Sequence, residues 1–365
     1  MRFFYGIILT MNVARYIRAS VIIPCWNVAP WLPRCLDEVF AALPTSAEVI
    51  AVDDGSDDET PEILARYASV RPELKVFSRP NGGVSAARNR GIGEALGEYV
   101  FFVDPDDGVE PDFFTSMLER IEETGADYCL CAFRTRRADG SFDDARLKAS
   151  YELDGADEIL KGYISRIIGY SFDDVRRFYA GETLFATREM ASVCRACFRR
   201  ALIEKASVRF DETVSLYEDA VFNAEYLLSA KKMTCIDRPL YRVTERESGA
   251  MRTIPRDAAR FARNKLSLLS ARIRLDEKSG GRIWPLSEAS SVFSVLEIIS
   301  LMMKFRLSLR EGFSVLQKYL GDARARRALY AFPLSPRRPL FMFAVVFLRF
   351  ICKCNYNRRT AEKMV

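Results

Sequence analysis

Carboxylates that follow apolar runs are the residues of this sequence best suited to chemistry. The densest set is Asp104-Pro105-Asp106-Asp107, reached directly after the apolar stretch Tyr99 to Val103. Like charges this close repel one another unless a cation or a hydrogen-bonded ligand compensates them. A second pair, Asp53-Asp54, follows Glu48 to Val52 and opens into Gly55-Ser56. A third, Glu218-Asp219, stands at the head of a helical pattern running to about Ser229. Because the chain has no histidine, His-based triads and His-rich metal sites are excluded. Carboxylates remain the obvious groups to exchange protons. The nine cysteines form no regular framework. Cys194-x-x-Cys197 without a matching second pair is a weak zinc signal, and an odd count suits reduced thiols in a cytoplasm.

The elements that must position these groups can be read from periodicity. Tyr99 to Val103 reads as a strand buried on both faces of a parallel sheet, and Pro105 cannot continue it. Ser20 to Pro24, Glu48 to Val52 and Leu74 to Phe77 are three further strands. Between them lie helices from Trp31 to Leu43, from a capping box at Ser56 and Glu59, and from Val84 to Leu96. This β-α-β-α-β-α-β series predicts an α/β fold with a mostly parallel sheet and helices on both faces. Such sheets bind ligands outside the carboxyl ends of their strands. Four polar groups fall there or just beyond: Pro24 to Asn27, Asp53 to Ser56, Asn81 to Arg90, and Asp104 to Asp107.

Downstream the pattern changes. A helix over Met117 to Glu123, a strand over Tyr128 to Phe133 and a helix over Leu153 to Ile168 are followed by two short closing strands, Met233 to Ile236 and Leu240 to Val243. After Gly249 the pattern is helical only, with a second capping box at Ser308 and Glu311. The reading is an N-terminal extension (1–18), two halves of one α/β domain (19–130 and 131–250) and a helical C-terminal region (251–365).

Charge is uneven. Ten Lys or Arg against one Glu from Arg324 to Val365 give a net +9 within a chain of +5, leaving −4 upstream. A basic tail on a mildly acidic body points to an anionic surface. Pro339 to Cys354 is apolar and aromatic but carries Arg349 and Lys353, with Arg337, Arg338, Arg358 and Arg359 flanking it. It is too short and charged to span a bilayer; it suits a helix in an anionic membrane interface, or one docked on the body. Phe3 to Met11 is about half a membrane span and lacks a cleavage site. Met11 is a plausible true start.

The phrases SVIIPCWN, VIAVDDGSDDET, NGGVSAARNRGI and ALGEYVFFVDPDD, in this order, resemble the family 2 glycosyltransferases of the GT-A (Rossmann-like) fold. RFDETVSLYEDAVFNAEYL and PLYRVTERESG look like the acceptor half of bacterial capsule and exopolysaccharide transferases. The resemblance implies an inverting, metal-dependent enzyme moving one sugar from a nucleotide-sugar, UDP-linked, to a hydroxyl of a glycan or an undecaprenyl-diphosphate-linked acceptor. It further implies that Pro24 and Trp26 flank the base, although the Trp26 ring could instead pack in the core. Asp54 would accept from the uracil N3–H with Asp53 supporting it or contacting ribose, and Arg88 would face the diphosphate or the carboxylates.

Asp104 and Asp106 match the family's D-x-D pattern. Asp106 and Asp107 would hold ribose and a divalent cation, Mg²⁺ or Mn²⁺, as oxygen ligands favour. Asp219 would be the base, next to Glu218, with the helix dipole keeping it ionised. Ser248 and Arg252 lie where relatives often place a serine and a basic residue near the phosphates. Cys25-Trp26 and Arg195-Ala196 depart from the usual aliphatic-Tyr and Asn-Lys. The Gln-x-x-Arg-Trp of processive relatives is missing, so one sugar per encounter is expected. No nucleic-acid partner is implied; the expected place is the cytoplasm, peripheral to the inner membrane surface. A sugar-phosphate nucleotidyltransferase and a non-catalytic nucleotide- or glycan-binding relative are the competing readings.

Overall fold

The computed structural model describes residues 16–137, 139–184, 188–245, 256–336, 342, 344–346, 348 and 349. Ser248, Arg252 and the apolar stretch from Phe3 lie outside the described residues. β1 (Ala19–Cys25) and β2 (Ala47–Asp53) are buried along their whole length, as strands covered on both sides must be. With β3 (Leu74–Ser78) and β4 (Tyr99–Phe102) they form the parallel order β3-β2-β1-β4. The crossovers are α1 (Leu32–Ala42), α2 (Thr60–Ala68) and α3 (Val84–Glu94). α3 lies close on β1, because Gly91 meets the Ile22 side chain where any Cβ would come within 2.4 Å.

Beyond β4 the sheet turns mixed. β9 (Ala196–Arg199) runs antiparallel to β4, and β6 (Tyr128–Arg136) antiparallel to β9. β10 (Lys232–Thr244) is parallel to β6, and the two-residue β5 (Gly108–Val109) closes the order against it. β7 (Phe142–Ala145) and β8 (Leu153–Asp154) pair with β6 and β10. The two expected closing strands are thus one. Its register shifts around Pro239, whose ring nitrogen has no proton for the ladder. Likewise Leu153 belongs to β8, and helix begins only after Gly155 (φ 97°). It continues from α5 (Ala156–Ile159) through a π turn, Leu160–Ile164, into α6 (Ser165–Ile167).

The remaining helices of the sheet region are α4 (Phe113–Thr124), α7 (Phe172–Tyr179), α8 (Arg200–Lys205) and α9 (Glu218–Leu227). Then follow α10 (Ala258–Lys278), α11 (Trp284–Met303), α12 (Leu309–Gly321) and α13 (Ala323–Ala331). The helical region has its own core, with Val292, Val295 and Ile298 of α11 against Leu316 and Tyr319 of α12. It is also keyed into the sheet region: Leu268, Ala271 and Leu275 of α10 join the sheet's core. Arg274 pairs with Asp211 and Lys278 with Glu225. α11 is the one described helix long and apolar enough to cross a bilayer, yet 56% of that stretch is buried within the protein.

The interface-helix reading of the tail fails over its described residues. Val345 and Leu348 bury in the helical core. Arg349 Nε donates to Leu329 O at 2.9 Å, and another of its nitrogens to Phe332 O at 2.7 Å. These carbonyls at the end of α13 lack helical partners, and a cation is favoured there.

Candidate active site

The end of β4 and the start of α9 meet at Arg88. This residue lies on α3 and is only 2% exposed, so it is no surface cation. It donates to Asp219 Oδ1 at 2.8 Å and to Asp104 Oδ1 at 2.9 Å, with Glu218 Oε1 3.5 Å away. The Phe210 ring centroid lies 5.2 Å from its guanidinium carbon. Burial disfavours the cation, but Asp219, Asp104 and Glu218 outweigh it and hold the guanidinium above its ordinary pKa. Its Nε has no hydrogen-bond partner among the described residues.

Asp219 stands in the first turn of α9, where Val193 N–H donates to its Oδ2 at 3.1 Å. Tyr217, just before the helix, is in the left-handed region (φ 67°) and makes the sharp entry. From α10, Asn264 Oδ1 accepts from Ser215 N–H and Leu216 N–H, fixing the approach to that turn. The dipole expected to keep Asp219 ionised is opposed by burial. Burial pushes its carboxyl up to about 7; Arg88 pulls it down, while Glu218 and Asp104 add to the rise. A base with a pKa near neutrality is well matched to proton abstraction.

The turn after β4 is held from behind. Tyr241 of β10 donates to Asp107 Oδ2 at 2.8 Å and accepts from Asp104 N–H at 3.2 Å. Thr244 N–H donates to Asp107 Oδ1 at 2.8 Å, and Arg34 donates to the Asp106 carbonyl at 2.7 Å. Asp107 is therefore buried with both oxygens engaged, its carboxyl held well above the usual range by burial and by Asp106 and Asp104. That is the place of a brace for the turn, not of an open metal ligand. Asp104 and Asp106 are half-buried. No three described Cys, Asp or Glu side chains converge into a metal cage. A hard cation that takes one or two carboxylates and fills its sphere with phosphate oxygens and water fits Asp104 and Asp106.

The loops after β1 and β2 form the other end of the site. Asp54 is 2% exposed and saturated: it accepts from Arg79 (2.7 Å), from Gly82 N–H (3.1 Å) and from Gly83 N–H (2.6 Å). It shapes the Asn81-Gly82-Gly83 loop, and a base would have to displace these donors to reach it. Asp53 gives only Oδ1, to Ser56 N–H at 3.0 Å, and its Oδ2 takes no hydrogen bond among the described residues. Pro24 is buried at the end of β1. Trp26 is 55% exposed, which removes it from the core and leaves its ring open.

The expected capping box at Ser56 does not form, because these side chains serve the Trp26 loop instead. Ser56 Oγ accepts from Asn27 N–H, Asp58 from Ala29 N–H, and Asn27 and Asp57 bond reciprocally. Arg195 is fully buried, donating to Glu189 Oε1 at 2.7 Å and to the Met190 and Cys131 carbonyls, away from any open site. Reading the sequence alone missed Arg79, Tyr241 and Phe210. Arg79 sits directly before Pro80-Asn81, so its nearness to that loop was the signal available.

The model of the family described as glycosyl transferase family 2 matches residues 20–202. The uncharacterized glycosyltransferase EpsJ of Bacillus subtilis is 30% identical over 222 residues, 61% of this chain and 59% of that protein. The succinoglycan biosynthesis protein ExoO of Rhizobium meliloti is 28% identical over 59% of this chain and 56% of its own length. The chain thus spans less than two thirds of these relatives. Among solved structures, S. aureus TarS 1–349 in complex with UDP superposes with a TM-score of 0.62 at 21% identity, covering 94% of this chain and 92% of that one. At that identity the likeness is one of fold.

Proposed function

This chain belongs to glycosyl transferase family 2, and on that premise we propose that it moves a single sugar from a UDP-linked donor to an acceptor hydroxyl with inversion. The observation that carries the reading is the Arg88 bridge. One buried guanidinium ties Asp104, at the end of β4, to Asp219, at the start of α9. A proton-accepting carboxylate and a diphosphate-binding strand end are thereby held side by side.

In this reading the uracil stacks on Trp26 and meets Asp53, the carboxylate with an open oxygen, in place of Asp54. Asp104 and Asp106 face the diphosphate and would hold Mg²⁺ or Mn²⁺. A bound cation would stabilise the charge that develops on the leaving diphosphate. The acceptor oxygen bonds to the anomeric carbon from the face opposite the diphosphate. The bond to the diphosphate oxygen breaks with its electron pair, and the hydroxyl proton passes to Asp219. Glu218 tunes that carboxyl by like-charge repulsion, as one cause of its raised pKa. The acceptor is a glycan, free or lipid-linked, of a cell-surface polysaccharide; ExoO's role in succinoglycan biosynthesis supports that class.

Replacing Asp219 by Asn tests the assignment. Transfer should fall to background while UDP still binds. Turnover retained by D219N would refute the base, and screening UDP-sugars for metal-dependent hydrolysis would identify the donor.

A further inference from the structure

The end of α11 and the start of α12 expose four large apolar side chains within eleven residues. Met303 is 75% exposed, Phe305 95%, Leu309 62% and Phe313 62%. Leu309 and Phe313 are four apart on α12 and so share one face of it. The tip is built on a hydrogen-bonded turn. Phe305 N–H bonds to Met302 O, Arg306 N–H and Leu307 N–H both bond to Leu301 O, and Ser308 caps α12 through Glu311 N–H. Gly312 lets α12 close on α11, since a Cβ there would come within 2.3 Å of the Met302 sulfur. On this scaffold Phe305 takes φ 53°, a conformation that is strained for a bulky residue and would suit glycine. A phenyl ring is thus carried, at a conformational cost, where it is almost fully exposed.

Three of the four charged side chains between Met303 and Phe313 are cations. Lys304, Arg306 and Arg310 are all exposed beside the apolar set, and Glu311 is turned to the Ser308 cap. We infer that this tip seats on an anionic lipid bilayer, with Phe305 and Phe313 entering the headgroup boundary and Lys304 and Arg310 meeting lipid phosphates. Aromatic and aliphatic anchors ringed by cations are what such an interface takes up, and its negative potential attracts the cations. A second copy of the chain would place the same three cations against themselves. The inference does not depend on the catalytic reading.

The test is flotation of the full chain with phosphatidylcholine vesicles, with and without phosphatidylglycerol. Two variants separate the apolar and charged contributions. Phe305→Gly should keep or raise the melting temperature, because glycine suits that backbone, while its vesicle partition coefficient falls about tenfold. Lys304→Gln with Arg310→Gln should lose the preference for phosphatidylglycerol. Unchanged flotation of F305G would overturn the proposal, including the case where the basic tail alone binds. So would a wild-type chain that floats with neither vesicle, or one that sediments as a dimer and becomes monomeric in F305G.

Discussion

Arg88 donates to Asp219 across 2.8 Å although 131 positions separate the two residues. The same guanidinium reaches Asp104 with its other terminal nitrogen. A lysine could neutralise one of these carboxylates but could not fork between them. Arg88→Lys should therefore lower kcat at least a hundredfold with a near-native circular dichroism spectrum. Arg88→Ala, which leaves buried carboxylates unpaired, should cost about 3 kcal/mol in urea denaturation. A fully active R88K would show that the bridge is only structural.

The raised pKa of Asp219 sets a pH dependence. Below about 7 the carboxyl carries the proton and cannot accept another; above it the group is a base. The kcat/KM, which reports the free enzyme, should rise with pH through neutrality and level off. Arg88→Gln removes the charge that favours the ionised form, so any residual activity should rise at higher pH than in the wild type. Rates measured across pH 5.5 to 9 in buffers of constant ionic strength would check this; a flat wild-type profile would remove Asp219 from the proton transfer.

Asp53 and Asp54 are adjacent in sequence but should respond differently to amide substitution. Asp54 accepts from a guanidinium and two glycine amides, and Asn would present a donor where only acceptors fit. D54N should lose about 2–3 kcal/mol of stability. Asp53 is also buried but accepts only one hydrogen bond among the described residues, so D53N should lose less stability than D54N yet weaken UDP binding. Thermal melts paired with UDP titrations separate the two. Equal loss of UDP affinity in a fully stable D54N would return the base contact to Asp54.

Trp26 offers an exposed ring at the end of the site proposed to take the base. Stacking of a base on an aromatic ring is worth about 1–3 kcal/mol, so Trp26→Ala should weaken UDP roughly tenfold or more. The melting temperature should fall far less than for a core aromatic, since more than half of the residue is exposed. Isothermal titration with UDP, with Trp26→Phe as the stacking-competent control, distinguishes this from a general loop defect.

Much of this site could be read from the sequence because strand ends announce themselves. An apolar run that stops in carboxylates gives both a buried strand and the side of the sheet where its ligand lies. Which carboxylate does what could not be read that way. Asp54 and Asp107 look as reactive as Asp53 and Asp104 until the donors facing them are known. Those donors come from Arg79, Gly82 and Gly83, and from Tyr241, 134 residues beyond Asp107. The helical region gave least: its pattern showed amphipathic helices but not that Asn264 would fix the approach to Asp219, or that Arg349 would bond to the end of α13.

Tyr241 is the residue through which β10 governs the carboxylate turn. Its hydroxyl donates to Asp107 and accepts from the Asp104 amide, so one oxygen sets both ends of Asp104 to Asp107. Tyr241→Phe preserves the buried ring and removes only that oxygen. Two buried polar groups then each lose a partner, which should cost about 1–3 kcal/mol. Because Asp104 and Asp106 would no longer be held at a fixed spacing, the Mn²⁺ concentration giving half-maximal transfer should rise several-fold, while UDP binding without metal stays unchanged. A Y241F enzyme that loses stability but keeps its metal dependence would limit Tyr241 to supporting the fold.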